Sequence, residues 1–392
     1  MGKLKFVFLG FVCIVTILVG FAGKARAISP KEDRIIKGIH VTSPILSTSK
    51  GRKKITDLLF STELNAIVID VKDDHGHIYI NGIEIVKTIG AYVNDVPDLE
   101  KFISDLKEKG IYTIARIIVF RDDTMARRKL GFAIKNCDGS LWTDKTNIAW
   151  LDPYNIHNWD YVLQVAEKAV DIGFDEIQFD YVRFPSEGNA KNRRYCQIYS
   201  AEKASKALVG FLKEANRRLK AKGTNISIDV FGLTTTATDD MGIGQKIVEM
   251  TEWVDFTSPM VYPSHYGKFI YGIENPNKEP YKVVYCAIED ALKRIPAKKL
   301  RPWLQNFSLH GYSCGKNEVR AQIQACYDNG VGSWLLWSPK CTYTTSALKG
   351  TNEKNTYRKS DPATQEMLKT AKRKKSMAET ANKSLETTNS SD

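Results

Sequence analysis

The chain has 392 residues, of which 43% are hydrophobic, 10% aromatic and 26% charged, and this composition excludes a disordered or fibrous protein. Its length allows one large domain or two ordinary ones. The formal net charge of +12 is not gathered into one basic arm, so it indicates a solvated surface and no nucleic-acid partner. A moderate positive charge also suits an acidic polysaccharide or an anionic envelope surface.

The first 27 residues have the pattern of a secretory signal peptide. A basic start at residues 1–5 precedes an apolar run at 6–23, and Ala25, Arg26 and Ala27 form a small-x-small cleavage signal. The alternative is an uncleaved signal anchor that ties the protein to a membrane by its N-terminus, because 18 apolar residues lie near the lower limit for a span. The sequence therefore predicts an exported protein, located outside the cell, in the periplasm or at the envelope.

Six cysteines follow the leader, and an even number in an exported protein allows disulfides. No Cys-x-x-Cys pair is present, so no zinc site is predicted. Cys286 and Cys326 fall on predicted helices and are expected to be buried thiols. The disulfide candidates lie in predicted loops and are Cys137, Cys196, Cys314 and Cys341.

Between residues 35 and 339, short apolar runs alternate with amphipathic helices. The predicted strands are residues 36–41, 66–71, 112–120, 176–183, 226–231, 255–262, 301–307 and 332–337. They are rich in Ile, Val and aromatic residues, and several are almost continuously apolar, as parallel strands covered on both faces are.

The helix at 98–109 has the clearest pattern, since Leu99, Phe102, Ile103 and Leu106 form one apolar stripe. The other predicted helices are residues 158–171, 201–222, 246–253, 283–294 and 318–328. Eight strand–helix alternations predict an α/β fold, the (β/α)8 TIM barrel, over residues 28–349. A doubly wound open sheet is the main alternative, but no Gly-x-Gly-x-x-Gly follows the first strand. Residues 350–392 are predicted to be a polar tail, helical over 361–374 and disordered after 375.

In such barrels the functional residues lie at the carboxyl ends of the strands. The polar and aromatic candidates there, in strand order, are His40, Asp70, Lys72, Asp73, Arg116, Gln178, Asp180, Tyr181, Arg183, Asp229, Tyr262, Gln305 and Trp337. Ionisable groups among Ile and Val must be paired or lie at a wet mouth, because burying a lone charge is costly. Interior pairing without chemistry is the alternative, and it suits Asp70 with Lys72 or Arg116.

Asp180 and Asp229 are the predicted catalytic pair, because they lie on neighbouring strands. Adjacent parallel strands are about 5 Å apart, so the two carboxyl groups meet the geometry of a retaining glycosidase, or of an inverting one if they are staggered. Two nearby carboxylates also raise each other's proton affinity, which helps one to remain a proton donor.

Aromatic residues and long loops complete the predicted cleft. Tyr181, Tyr262 and Trp337 offer flat faces to a pyranose ring, whereas Trp334 is expected to be core. Two long loops, at 121–150 and 185–199, are predicted to form the walls, since loops of this length are commonly functional.

Five segments together resemble a bacterial glycoside hydrolase-like domain family of unknown specificity. They are residues 38–43 (GIHVTS), 65–74 (NAIVIDVKDD), 112–117 (YTIARI), 150–154 (WLDPY) and 174–185 (FDEIQFDYVRFP). The resemblance covers roughly residues 35 to 339 and implies an exported (β/α)8 barrel. It implies a catalytic role for Asp180, at the end of strand four, and site roles without assigned duties for Asp70, Lys72 and Asp73.

One departure limits what the resemblance implies. Amylase-like retaining barrels place a glutamate at strand five and an aspartate at strand seven, whereas this chain offers Asp229 and Gln305. Their three-acid scheme therefore does not transfer.

The leading hypothesis is a cofactor-independent glycoside hydrolase that cleaves an envelope or extracellular polysaccharide. The alternative is a non-catalytic glycan-binding or envelope-scaffold protein, because fold does not imply function. A third hypothesis is a metal-dependent hydrolase, for which the ligands would be Asp70, Asp73, Asp74, His75 and His77.

Overall fold

The computed structural model describes residues 34–309 and 311–364, which form a closed barrel of eight parallel strands in the order β1 to β8. The strands are β1 Lys37–Val41, β2 Ala66–Lys72, β3 Tyr112–Ile118, β4 Glu176–Asp180, β5 Asn225–Phe231, β6 Phe256–Met260, β7 Trp303–Gln305 and β8 Trp334–Trp337. The (β/α)8 prediction is confirmed. The leader and most of the helix predicted at 361–374 lie outside the described residues.

Helices surround the barrel in the described part of the chain. They are α1 Ser43–Leu46, α2 Ser49–Ser61, α3 Glu84–Thr88, α4 Leu99–Glu108, α5 Asp123–Arg128, α6 Ile156–Asp171, α7 Ala201–Lys220, α8 Ile247–Thr251, α9 Pro280–Leu292 and α10 Lys316–Asp328. The six predicted helices are present with ends that differ by at most three residues. Helix α2 was not predicted, because its first turn is basic and contains Gly51, although Ile55, Leu58 and Leu59 are buried.

Helix α4 shows why these segments pack as they do. Its buried residues are Leu99, Phe102, Ile103 and Leu106, the stripe expected from the sequence. Gly110 follows with φ +75°, a left-handed conformation that turns the chain into β3 at little cost for a residue without a Cβ. None of the helices in the described ranges is long and apolar enough to cross a membrane.

Several strands end earlier than predicted, and β4 shows the reason. The sequence stays apolar and extended-looking to residue 183, but Tyr181 has φ +53° and so breaks the strand directly after Asp180. A bulky residue in the left-handed region is uncommon and is found most often at functional sites. The break lifts the chain away from the sheet at the rim of the barrel.

The lower barrel interior contains an ion pair that has no contact with the rim. Arg301 donates to both carboxylate oxygens of Glu176, and both side chains are fully buried. Tyr112 Oη donates to Glu176 at 3.0 Å, and Ser227 Oγ donates to it at 2.5 Å. These bonds satisfy a charge that would otherwise be costly inside the barrel. Interior pairing without chemistry therefore does occur in this barrel, at its amino-terminal end.

Residues 350–360 pack against the barrel beyond the predicted boundary at residue 349. Lys37 Nζ, at the start of β1, donates to Glu353 O at 2.5 Å and to Thr356 O at 2.8 Å. Tyr357 Oη donates to Gly330 O at 3.1 Å, and Ser360 Oγ donates to an Asp328 oxygen at 2.7 Å. This C-terminal segment belongs to the folded domain because it satisfies a buried lysine.

The disulfide expectation is not met, since none of the four candidate cysteines forms a disulfide within the described residues. Lys135 and Arg194 pair in an antiparallel bridge, so Cys137 lies near Asn192 rather than opposite Cys196. Cys326 is a buried thiol, as predicted, and Cys286 is half-buried.

Truncation tests the role of the C-terminal segment. A chain ending at residue 349 should lose about 3 kcal/mol of unfolding free energy, because hydrogen bonds to the charged Lys37 and Asp328 are lost. Chemical denaturation would measure this loss. A chain ending at residue 364 is the matched control and should keep full stability. Equal stability of the two truncated chains would contradict the assignment.

Candidate active site

A cavity of about 640 Å³ opens at the carboxyl ends of the strands. Such a volume is in the usual range for small-ligand sites. Seven of its lining residues were predicted from the sequence, namely Arg116, Asp180, Tyr181, Arg183, Asp229, Tyr262 and Trp337. The other lining residues are Glu187, Phe231, Gly232, Leu233, Met241, Met260, His265, Tyr266 and Trp303.

Asp180 is the last residue of β4, and its carboxylate is held from two sides. Arg116 donates to its Oδ2 atom from Nη2 at 2.5 Å and from Nε at 3.2 Å. The backbone N–H of Tyr181 donates to Oδ1 at 2.6 Å. The left-handed turn at Tyr181 therefore contributes to the position of the carboxylate as well as ending the strand.

Asp229 lies on the neighbouring strand β5 and is almost completely buried. Trp303 Nε1 donates to its Oδ1 atom at 2.7 Å, while its Oδ2 atom is 3.7 Å from Arg116 Nε. Burial, and then the charge of Asp180, raise the pKa of Asp229 well above its ordinary value, and Arg116 offsets only part of this. Asp229 therefore keeps its proton to higher pH than an exposed aspartate.

The two acids approach the same arginine nitrogen. Since the Oδ2 atoms of Asp180 and Asp229 both lie within 4 Å of Arg116 Nε, they are at most about 7 Å apart, within reach of a glycosidase carboxylate pair. Asp180 accepts hydrogen bonds from Arg116 and from Tyr181 N–H, whereas burial raises the pKa of Asp229, and carboxyl groups in such different environments suit acid/base chemistry on one ring.

Arg116 connects the acids to a second pair. Its Nη1 atom donates to Asp70 Oδ1 at 2.7 Å, and His40 Nε2 lies 2.9 Å from Asp70 Oδ2. Burial alone would raise the pKa of Asp70, but His40 and Arg116 together lower it to about 2. Burial alone would lower the pKa of His40, but Asp70 raises it. Asp70 thus pairs with Arg116, one of the two partners predicted.

Aromatic residues form one wall of the cavity. Trp337 stacks on His40 with ring centroids 3.9 Å apart, and Arg116 lies 4.8 Å from the Trp337 ring centroid. Tyr262, almost fully buried, packs edge-on against Phe307 on the other side. Trp334 is fully buried outside the cavity, as predicted for a core residue.

Two predicted site residues at the end of β2, Lys72 and the following Asp73, do not line the cavity. Lys72 is fully buried and pairs with Asp122 at 2.8 Å, and it also donates to Ile118 O at 2.7 Å. Asp73 accepts from Tyr79 Oη at 2.8 Å and contacts His77, so it stabilises its own turn. Asp70 contacts the cavity residue Arg116, and His40 contacts Asp70 and the cavity-lining rings of Trp337 and Trp303.

Two predicted amide residues also lie behind the cavity surface. Gln178, one layer below Asp180, donates to Ser258 Oγ at 3.4 Å. Gln305 accepts from the backbone N–H of Ser264 at 3.1 Å and donates to Phe307 O at 2.8 Å. Gln305 therefore shapes the β6 loop, whose His265 reaches the cavity.

The ligands of the metal-dependent hypothesis are not brought together. Asp70 points into the barrel, whereas Asp74 pairs with Arg121 on the loop side. Within residues 34–309 and 311–364 no group of three or more His, Cys, Asp or Glu is placed to hold a metal.

Trp303 is the most important residue that the sequence reasoning missed. It binds Asp229 and lines the cavity, but strand seven was examined only through Gln305. The signal was present, because Trp303 lies two residues before Gln305 and so shares its side of the strand.

The walls of the cavity also differ from the prediction. The loop at 185–199 contributes Glu187, and the loop at 121–150 contributes no lining residue. The segments after β5 and β6 contribute the other wall residues from loops, which are Gly232, Leu233, Met241, Tyr262, His265 and Tyr266.

The raised pKa of Asp229 gives a test by pH. A folded state that binds this proton more tightly than the unfolded chain loses stability as pH rises above the unfolded pKa near 3.8. Asp229→Asn removes this loss, so the variant should gain stability relative to wild type as pH rises from 5 to 8. Thermal unfolding at both pH values measures the difference. A stability difference independent of pH would contradict it, and Asp57→Asn on the exposed face of α2 is the control.

Removing Arg116 should destabilise the barrel. Arg116→Met leaves the buried Asp70 and Asp180 carboxylates without their guanidinium, which should cost about 3–5 kcal/mol at pH 7. The loss should shrink at pH 4 as carboxylates take up protons. Denaturant unfolding at the two pH values checks this, with the exposed Arg217→Met as the matched control. An equal loss in both variants would refute the role of Arg116.

Comparison with solved structures supports the fold. The glycoside hydrolase domain of PgaB (BpsB) from Bordetella bronchiseptica matches with a TM-score of 0.60 at 10% identity, over 80% of this chain and 99% of that chain. α-L-Fucosidase isoenzyme 2 from Paenibacillus thiaminolyticus matches with a TM-score of 0.51 at 12% identity, over 82% and 48% of the respective chains. Identities this low show the fold alone.

Sequence comparison gives the family. A hypothetical protein from Ruminiclostridium thermocellum ATCC 27405 is 33% identical over 49% of this chain and 97% of its own, with a TM-score of 0.44. No curated protein sequence matches. The profile of a family described as "Putative glycosyl hydrolase domain" matches residues 38–343. The chain therefore belongs to this family, and a carboxylate pair in a barrel mouth agrees with the description of the family.

Proposed function

We propose that this protein is a glycoside hydrolase that uses Asp180 and Asp229 as its two catalytic carboxyl groups. The observation that carries the proposal is the pair itself. Two carboxyl groups share Arg116 on the floor of a cavity with an aromatic wall, and one of them has a raised pKa. Glycosidic bond cleavage requires a proton donor and a carboxylate on the same ring.

The environments of the two acids support a division of roles between them. Asp229 retains its proton to higher pH and is the general acid that protonates the leaving oxygen. Asp180, held by Arg116 and by the Tyr181 N–H, is the carboxylate that faces the anomeric carbon as nucleophile or as base. The charge of Arg116 holds Asp180 in place, and Tyr262 and Trp337 form the surface on which the sugar ring stacks.

A polymeric substrate outside the cytoplasm suits this site best. The signal-peptide pattern of residues 1–27 predicts export, where envelope and extracellular polysaccharides are available. The cavity is continuous with the barrel rim, where loops after β4, β5 and β6 contribute Glu187, Met241 and His265. Loop residues at the rim provide contacts for sugar units beyond the one at the acids.

The test is product release from a panel of bacterial envelope glycans and exopolysaccharides. Asp180→Asn should lower turnover by roughly 10³-fold or more, because a positioned carboxylate is removed while the shape is kept. Asp57→Asn, an equal change on an exposed helix face, should leave turnover unchanged. Thermal unfolding should show that both variants are folded.

The outcomes separate the hypotheses. Full turnover in Asp180→Asn would refute the assignment of this acid. Binding of a glycan by both the wild type and Asp180→Asn, with no cleavage by either, would support the non-catalytic glycan-binding alternative. Loss of turnover on treatment with a chelator would support the metal-dependent hypothesis instead.

A further inference from the structure

Arg183 is a buried arginine in the cavity wall that lacks a close carboxylate. Its side chain is 5% exposed and lines the same cavity as the two acids. Its guanidinium carbon lies 4.7 Å from the ring centroid of Tyr181, 4.9 Å from that of Trp150 and 4.6 Å from that of Phe231. Three aromatic rings therefore hold the guanidinium in place and limit its access to water.

The hydrogen bonds of Arg183 use only one of its nitrogens. Nη1 donates to Phe184 O and to Ser186 Oγ, each at 3.2 Å. Neither Nε nor Nη2 donates to any residue in the described part of the chain, and these two N–H groups form one edge of the guanidinium fork. That edge has the geometry that binds both oxygens of a carboxylate at once.

The other arginines near the site are fully paired, which sets Arg183 apart. Arg116 contacts Asp70 and Asp180 directly, and Arg121 contacts Asp74 and Asp144. Among the carboxylates of the described residues, only that of Glu187 lies within 4 Å of the Arg183 guanidinium, with 3.9 Å between Nη2 and Oε1. The Glu187 side chain is 48% exposed, so solvent screens this contact.

Arg183 is the cavity cation that the neighbouring acids leave without a direct partner. Asp70 and Asp180 both bond Arg116, and Asp229 lies 3.7 Å from Arg116 Nε, so these acids are engaged by Arg116 and not by Arg183. Burying an unmatched guanidinium among aromatic rings is costly unless an anion completes the site. Glu187, at the rim, supplies only a distant and solvent-screened counter-charge.

We propose that Arg183 binds the carboxylate of an acidic sugar unit, so that the substrate is a polysaccharide containing uronic acid. The uronate carboxylate takes the free Nε/Nη2 edge, and Glu187 moves away into solvent. This inference rests on the proposed function, since it assumes that the cavity holds a sugar. It identifies the substrate class of that site, and the overall positive charge of the chain is compatible with it.

Matched pairs of small ligands test the proposal without turnover. The probes are the methyl glycosides of glucuronic, galacturonic and mannuronic acid, each beside its neutral parent hexoside, titrated into the wild-type protein by calorimetry. At least one acidic probe should bind about tenfold or more tightly than its parent, as expected for charge-assisted hydrogen bonds. The preference should weaken at high salt.

Substitutions with opposite expected effects on uronide binding sharpen the test. Arg183→Gln should abolish the preference for the acidic probe, and Arg183→Lys should keep only part of it, because lysine lacks the fork. Glu187→Gln removes the competing carboxylate and should strengthen uronide binding several-fold. The exposed Arg194→Gln, in the same loop, is the control and should leave the preference unchanged. If Arg183→Gln does not fold, the wild-type pairs and Glu187→Gln still decide.

The outcomes are distinct from those of the proposed function. Equal binding of acidic and neutral probes in all three pairs would overturn the inference, as would weaker uronide binding by Glu187→Gln. Preference for glucose 6-sulfate with none for the uronides would overturn the assignment to a carboxylate. Cleavage of neutral glycans by the wild type with no uronide preference would leave the hydrolase standing and the inference refuted. Uronide preference without cleavage of any glycan would support the role of Arg183 and contradict the proposed hydrolase activity.

Discussion

The arrangement of this site depends on one guanidinium inside the barrel. Arg116 points inward from β3 and contacts carboxylates from β2, β4 and β5, so a single side chain connects four neighbouring strands at the rim. Without it, the Asp70 carboxylate would keep only His40 as a direct partner and the Asp180 carboxylate only the Tyr181 N–H among the described residues, and the barrel mouth would have to open to water. The same contacts fix the distance between the two proposed catalytic acids. Stability and chemistry therefore depend on the same ion network.

Depth in the barrel distinguishes the environments of the two acids, although they share that arginine. Asp180 lies at the end of its strand, where the left-handed Tyr181 supplies a backbone donor and the cavity supplies access. Asp229 lies deeper, receives the indole N–H of Trp303, and is only 3.7 Å from Arg116 at its second oxygen. Burial is the largest cause of the raised pKa of Asp229 and the charge of Asp180 comes next, while Arg116 and the Trp303 hydrogen bond offset part of the shift.

Much of this could be predicted from the sequence, because the inward positions follow from strand periodicity. Asp180 and Asp229 were predicted as a pair from the adjacency of strands four and five alone. Lys72 could not be separated from the site in this way, since its position outside the cavity is fixed by Asp122, fifty residues later in a loop. Residues 350–360 were likewise predicted to be tail, because their attachment is through backbone carbonyls to Lys37, which leaves no apolar pattern. Polar contacts between residues far apart in the sequence therefore cannot be predicted from the periodicity of strands and helices.

Two arginines, Arg116 on the floor and Arg183 in the side wall, give these two parts of the cavity different electrostatic character. Arg116 is surrounded by carboxylates and has no remaining capacity for an added anion, whereas Arg183 is surrounded by aromatic rings and keeps one edge of its fork free. A sugar ring with its anomeric carbon at Asp180 would thus meet a neutral, fully paired floor and a positively charged side wall. Glu187 lies at the outer end of that wall, so in the absence of ligand its carboxylate partly offsets the charge of Arg183 without filling the cavity. Selectivity for charge and cleavage chemistry are assigned to different arginines, so each can be altered without removing the other.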